Sequence, residues 1–147
     1  MKSTLTVIDA LDTLVVDATS LAQLFRRFHW EVRGPHFFQL HERFEALYEE
    51  WSEKADDFAE RVLQLGGRPT ATLEAVIKKS AIKDDGSKLD SRAMVSVAVS
   101  ELERAIVHLE NAAEAAEASG DRVSADLATE LLTEQQKHVW MMKAWLD

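Results

Sequence analysis

The sequence predicts an all-α protein built from four long helices. Apolar residues recur at helical spacing along four stretches, and glycine or proline separates these stretches from one another. One alternating run, residues 95–99, lies inside a longer helical pattern and is assigned to that helix. A chain of 147 residues is expected to form one domain over residues 1–147, and a domain of this size buries a core without disulfides.

The first two predicted helices form an antiparallel hairpin. The first helix carries an apolar stripe at Leu5, Ile8, Leu11, Val15, Ala18, Ala22, Phe25 and Phe28. Gly34-Pro35 interrupts the pattern, and a second periodic stretch runs from about residue 36 to residue 65. Gly66-Gly67-Arg68-Pro69 then stops the second helix, because glycine and proline disfavour its continuation.

A long connection separates this hairpin from the second half of the chain. Residues 70–90 are mixed in character and contain a short apolar piece, Leu73–Ile77, which predicts one or two helical turns. A third helix, with a stripe of Met94, Ala98, Leu102, Ala105, Leu109, Ala112 and Ala116, ends at Ser119-Gly120. Asp121 is expected to cap a fourth helix, whose stripe is Leu127, Leu131, His138, Met142 and Trp145. Four long helices with a crossover that carries a short helix predict a ferritin-like four-helix bundle.

Composition limits the chemistry and the partners. The chain has no cysteine, so any metal must be held by carboxylate and imidazole, which suit iron, manganese or zinc. The net charge of −9, from 26 acidic and 17 basic residues, repels phosphate backbones. The N-terminus, with the single Lys2, resembles neither a signal peptide nor a polybasic arm, and no apolar run reaches membrane-spanning length. We therefore expect a cytoplasmic protein without a membrane association.

The second helix carries a stripe of metal-ligand residues. At roughly 100° per residue, His41, Glu45, Asp56 and Glu60 fall at roughly 0°, 40°, 60° and 100° around the helix. However, His41 and Glu60 are roughly 28 Å apart along the axis at 1.5 Å per residue. One chain therefore cannot complete a site from both ends of the stripe.

A second copy of the helix resolves this separation. If it packs antiparallel across a two-fold axis near residues 50 and 51, His41 and Glu45 meet the partner's acidic pair. Small residues around that midpoint, Ser52, Ala55 and Ala59, permit a close approach. The hairpin also brings His29 beside His41. None of the five histidines has a glutamate three residues before it, which argues against the intrasubunit Glu-x-x-His di-iron site of other ferritins.

At these residues the chain resembles the Dps family, the DNA-binding proteins from starved cells, over nearly its whole length. The resemblance rests on His29-Trp30, Gly34, Phe37-Phe38, His41-Glu42, Phe44, Tyr48, Asp56, Ala59-Glu60-Arg61 and residues 137–145, KHVWMMKAW. It implies a shared ferroxidase site with His29, His41 and Glu45 from one subunit and Asp56 and Glu60 from its two-fold mate. Position 45 departs from the family pattern, which commonly has aspartate there.

The resemblance also implies an assembly and a reaction. The expected particle is a homo-oligomeric cage, a dodecamer built from two-fold dimers, with di-iron sites that oxidise ferrous iron preferentially with hydrogen peroxide. The ferric product is stored as mineral, which protects against oxidative damage. Asp121, Asp126 and Glu130 either favour the fourth helix dipole or line an acidic iron-entry pore.

Other residues have two interpretations each. Trp30 and Trp51 are expected to be packing residues, with interception of stray oxidising equivalents as the alternative. His36 is interpreted as a turn or surface residue rather than a ligand, His108 as a surface residue, and His138 as a hydrogen-bonded core or interface histidine.

Two other functions compete with iron storage. A nucleoid-compacting DNA-binding protein with secondary iron binding would need basic tails, and the sequence shows only Lys2 before the first helix and ends at Asp147. Direct DNA binding is therefore not expected. A cage that serves only as a scaffold is disfavoured by the intact set of five ligands.

Overall fold

The protein is described by a computed structural model that covers the backbone of residues 2–147 and the side chains of residues 6–147. The side chains of Lys2 and of Leu5, the first residue of the predicted apolar stripe, lie outside this part. The helices are α1 (Lys2–Glu31), α2 (Phe37–Gln64), α3 (Leu73–Lys79), α4 (Ser91–Ala118) and α5 (Arg122–Leu146). No strand occurs within residues 2–147, so the all-α prediction and the order of its elements are confirmed.

The four long helices pack as a bundle around a continuous apolar core. Helix α1 packs against α2 and α4, α4 packs against α5, and the short α3 contacts α1. Phe44 from α2 lies between two phenylalanines of α1, with ring centroids 6.3 Å from Phe25 and 5.4 Å from Phe28. Each such fully buried side chain stabilises the fold by roughly 1.5–3 kcal/mol. This aromatic contact fixes the α1–α2 hairpin at the end where the histidines lie.

Glycines end two of the long helices. Gly66 after α2 has a φ of +88°, and Gly120 after α4 has a φ of +75°, a left-handed conformation that disfavours residues with a Cβ atom. In both turns the amide of the following residue donates back to a carbonyl of the last helical turn, at 2.9 Å from Gly67 and 2.8 Å from Asp121. The sequence-based helix ends are confirmed.

The crossover between α2 and α4 is held against α1 by polar contacts. Asp12 accepts hydrogen bonds from the backbone amide and the hydroxyl of Thr70, each at 2.7 Å. Further along, Arg27 donates two hydrogen bonds of 2.8 Å to the carboxylate of Asp84. A bidentate pair of this kind fixes both direction and distance. The long connection therefore follows one defined path across the bundle.

Within the described residues, no helix is both long enough and apolar enough to cross a membrane.

Candidate metal centre

The α1–α2 hairpin brings His29 and His41 together, as the sequence predicts. Their imidazole rings stack with centroids 3.8 Å apart and planes 15° from parallel. His29 lies in the last turn of α1, and His41 lies in the second turn of α2. The side chain of His29 is buried, whereas that of His41 is partly open to solvent.

Reciprocal hydrogen bonds orient the two rings. Nδ1 of His29 lies 2.7 Å from the carbonyl oxygen of His41, and Nδ1 of His41 lies 2.7 Å from the carbonyl oxygen of His29. A carbonyl only accepts, so each Nδ1 carries the proton and donates it, and each neutral ring keeps its lone pair on Nε2. The hydrogen bond from His41 also satisfies the carbonyl of His29, which lies in the last turn of α1, where carbonyls have no intrahelical amide partner. Both Nε2 atoms are thereby left without a proton, and the same Nδ1–carbonyl arrangement is found widely around metal-binding histidines.

Aromatic rings surround the histidine pair on two sides. Phe37 stacks on His41 with centroids 4.8 Å apart, and Tyr48 meets His29 edge-on at 5.4 Å. Arg26 lies over the Tyr48 ring at 4.9 Å from its centroid. These contacts leave the two imidazoles little freedom to rotate.

Glu45 is the nearest carboxylate to the pair. Its Oε1 lies 4.0 Å from Nε2 of His29, too far for a hydrogen bond, and its side chain is 47% exposed. A metal ion between these two atoms would have a nitrogen and an oxygen ligand from one chain. The carboxylate of Glu45 therefore lies on the solvent side of His29.

Asp56 and Glu60 lie one turn apart on the exposed face of α2, toward its C-terminal end. The negative charge of Asp56, together with a hydrogen bond between the two carboxyls, raises the pKa of Glu60. Two crowded carboxylates of this kind repel one another, and a bound cation relieves the repulsion. This acidic pair is separated along the helix from the histidines of the same chain.

The small residues predicted between the two ends are accessible. Ser52 is exposed, and Ala55 and Ala59 are partly exposed. Among residues 6–147, no group of three or more histidine or acidic side chains is arranged to hold a metal ion. One chain therefore has two separate groups of candidate ligands, one where α1 and α2 meet and one farther along α2.

The two tryptophans near the site lie in different environments. Trp30 is 65% exposed beside His29, whereas Trp51 is fully buried in the bundle core. The side chain of Trp51 therefore points away from the exposed stripe, even though its position along α2 is close to the expected axis. Packing accounts for Trp51, while a redox role for either tryptophan stays a prediction.

The three candidate pore acids also differ. Asp121 caps α5 by accepting from the amide of Ser124 at 3.0 Å, and Arg61 pairs with it at 2.9 Å. Asp126 and Glu130 are exposed on α5. Asp121 thus has a local role and a partner for its charge, and the other two acids remain available to a channel.

The remaining histidines lie as expected, with one exception. His36 is exposed and meets Trp145 edge-on at 5.3 Å, and the buried His138 donates to Glu50 at 3.0 Å. His108 was expected at the surface, but its Nδ1 lies 2.5 Å from the buried carboxylate of Asp17. The sequence signal for this pair was the acid at Asp17, which interrupts the apolar run of residues 14–18.

Comparisons with known proteins agree on one family. The Ferritin family model, a ferritin-like domain, matches residues 8–147. DNA protection during starvation protein 2 of Bacillus anthracis is 38% identical over 141 residues, which cover 96% of this chain and 97% of that protein.

Solved structures agree with this match. A Dps protein from Bacillus brevis is 36% identical with a TM-score of 0.96, over 100% of this chain and 99% of that one. A DPS protein from Vibrio cholerae O1, described as a member of a broad superfamily of ferritin-like diiron-carboxylate proteins, is 29% identical with a TM-score of 0.94, over 99% and 92% of the two chains.

The fold and the family match define a ferritin-like protein. Within that class, the chain belongs to the Dps family.

Proposed function

We propose that this protein oxidises ferrous iron and stores the ferric product inside a hollow oligomer, and so limits oxidative damage. The observation that carries the proposal is the stacked pair of His29 and His41. Both Nδ1 atoms donate to backbone carbonyls, so both Nε2 atoms are left to bind a metal ion. A histidine pair with only a structural role would have no need to keep both Nε2 atoms free of protein hydrogen-bond partners.

The proposed site is shared between two chains. Helix α2 of a second copy would pack antiparallel on the exposed stripe and bring its own Asp56 and Glu60 to the first chain's histidines. The accessible small residues Ser52 and Ala55 support a close approach of the two helices. The mutual repulsion of the acidic pair, expressed in the raised pKa of Glu60, supports a cation as its partner.

The donor set suits iron as the substrate. Neutral imidazoles bind ferrous iron, and carboxylates stabilise the more highly charged ferric product. With hydrogen peroxide as oxidant, two ferrous ions each give one electron, the O–O bond breaks, and two protons are taken up to form two water molecules. A paired two-electron step of this kind limits the release of hydroxyl radicals. The preference for peroxide rests on the family resemblance.

Glu45 is the ligand at which this chain differs from the family pattern. Its exposed carboxylate lies 4.0 Å from Nε2 of His29 without a hydrogen bond. We propose that the extra methylene lets it reach a metal ion from the solvent side, so that binding survives the exchange. The rate of oxidation is the property expected to differ.

Assembly and iron entry complete the proposal. The expected cage is a dodecamer of two-fold dimers, in which Asp126 and Glu130 lie along an acidic channel that attracts ferrous ions. Asp121 contributes less to such a potential, because Arg61 pairs with its carboxylate.

The function is tested by loading the protein with ferrous iron without oxygen, adding peroxide and measuring iron across a size-exclusion profile. We expect iron to co-elute with a cage-sized particle in the parent protein, and its oxidation to slow strongly in a His29→Ala/His41→Ala variant. His36→Ala is the matched control, because His36 is exposed on the same hairpin. An iron-free small species beside precipitated ferric hydroxide would overturn the storage function.

A further inference from the structure

A second polar cluster lies between α2 and α5, and it shares no residue with the candidate metal centre. The carboxylate of Glu50 accepts a short hydrogen bond from the side-chain amide of Gln135, and its other oxygen accepts from Nε2 of His138 at 3.0 Å. Gln135 is fully buried and His138 is 8% exposed. Both oxygens of Glu50 are thus used to hold residues of α5.

This cluster leaves Nδ1 of His138 without a partner. A carboxylate only accepts, so Nε2 carries the proton, and Nδ1 of the neutral ring is a buried acceptor. No hydrogen-bond donor meets it among the described residues. Buried polar atoms without partners are rare in folded proteins and call for an explanation.

His138 also lines a cavity in which two thioethers are present. The cavity has a volume of about 220 Å³ and is lined by Leu40, Arg43, Phe44, His138, Met141 and Met142, among others. His138, Met141 and Met142 are spaced i, i+3 and i+4 on α5, so they lie on one face of the helix. The side chains of all three residues therefore line the same cavity.

We propose that this α2–α5 cavity binds a soft monovalent metal ion, Cu(I), through Nδ1 of His138 and the thioether sulfurs of Met141 and Met142. Thioether and imidazole ligands select Cu(I) over harder cations. Glu50 behind His138 supplies the carboxylate that orients metal-binding histidines and raises their basicity.

The charge of the cavity favours a monovalent ion. All three proposed ligands are neutral, and the positively charged Arg43 also lines the cavity. Divalent iron or zinc would bring two positive charges beside Arg43 with no carboxylate ligand to offset them. The flexible side chains of the two methionines can adjust around an ion without moving the helix.

The test is a titration of the assembled protein with Cu(I), without oxygen, against a chromogenic Cu(I) chelator. We expect the cavity to take one Cu(I) per chain, with sulfur and nitrogen neighbours in the copper X-ray absorption spectrum. A Met141→Leu/Met142→Leu variant should lose this one equivalent, because leucine keeps the volume and removes the sulfur. Glu50→Gln should weaken binding by roughly 10–100-fold, the usual cost of losing an outer partner of a ligating histidine.

Met94→Leu is the matched control, because Met94 is buried in the core and does not line the cavity. It should bind Cu(I) as the parent does, and all variants should keep the helical circular dichroism and particle size of the parent. The proposal is overturned if the double methionine variant binds as many Cu(I) ions as the parent, if no Cu(I) is taken from the chelator, or if excess Zn²⁺ displaces the bound Cu(I).

Discussion

His29 and His41 hold each other in place through their own backbones. Each ring donates from Nδ1 to the carbonyl of the other residue, at 2.7 Å in both directions. No further side chain is needed to select the tautomer, and the backbone fixes the orientation of both rings. In the proposed site, such preorganisation would lower the cost of assembling the ligand set.

Glu45→Gln is expected to slow the initial rate of ferrous iron oxidation by about tenfold or more, comparable to the lower range for loss of a metal-site partner. The neutral amide keeps the size of the side chain but removes the charge that would stabilise ferric iron. Stopped-flow absorbance with peroxide measures the rate, and Glu110→Gln, on the exposed face of α4, is the control. An equal rate in Glu45→Gln and the parent would exclude Glu45 as a ligand.

His108→Leu should destabilise the protein more at about pH 7 than at about pH 5. Burial raises the pKa of Asp17, and the hydrogen bond and charge of His108 oppose that rise. Without His108 the pKa of Asp17 rises further, so the cost of its ionisation appears as the pH rises through that higher value. Leaving a buried charge unpaired costs roughly 3–5 kcal/mol.

Urea denaturation of His108→Leu at both pH values measures this effect, with Val107→Leu on the exposed side of α4 as the control. A loss of stability that is the same at the two pH values would show that Asp17 does not depend on His108.

At the scale of the elements, α2 combines two faces with separate tasks. Phe44 and Trp51 on one face are fully buried in the core, while Asp56 and Glu60 on the other are exposed. Helical periodicity made both faces predictable from the sequence, because a side chain's position around one helix depends only on its residue number. The boundaries were equally predictable, since Gly66 and Gly120 end their helices with a positive φ.

Contacts between distant helices were harder to predict. The partner of His108 is Asp17, and the partner of His138 is Glu50, each more than 80 residues away. Periodicity assigns a residue to a face of its own helix. It does not give the axial offset between two packed helices, which decides which residues face each other. The His29–His41 pair was the exception, because a short turn connects α1 and α2 and so fixes their alignment.

The N-cap of α5 gives a prediction about stability. Asp121→Ala should lower the free energy of unfolding by about 1 kcal/mol more than Asp121→Asn, because asparagine also caps helices. Both variants lose the ion pair with Arg61. Urea denaturation measures the difference, and equal losses would contradict a capping role.

The ionisation of Asp121 also predicts how the stability of the protein changes at acidic pH. Burial raises the pKa of Asp121, but the hydrogen bonds from Ser124 and Arg61 outweigh burial and lower it. The stability that this carboxylate contributes is therefore present above its unfolded-state pKa and is lost as the pH falls through the lower folded-state value. Asparagine does not titrate, so Asp121→Asn should lose less stability than the parent protein when the pH falls through this range.

At the scale of the whole molecule, the net charge of −9 opposes direct binding to DNA. In a gel-shift experiment at about 50 mM salt, where electrostatic attraction is strongest, we expect no retardation of duplex DNA. A variant extended with a run of lysines at the N-terminus should retard the same duplex. Retardation by the parent protein would contradict this prediction.

The central claim is that one oxidation site takes its ligands from two chains, and mixing two inactive variants tests it most directly. One variant, His29→Ala/His41→Ala, keeps the acidic pair, and the other, Asp56→Ala/Glu60→Ala, keeps the histidines. A mixed dimer would contain one complete site and one that retains only Glu45. Random reassembly of equal amounts should therefore restore about a quarter of the parent's rate of ferrous iron oxidation. No recovery, with mixed dimers shown by mass spectrometry to have formed, would contradict a shared site.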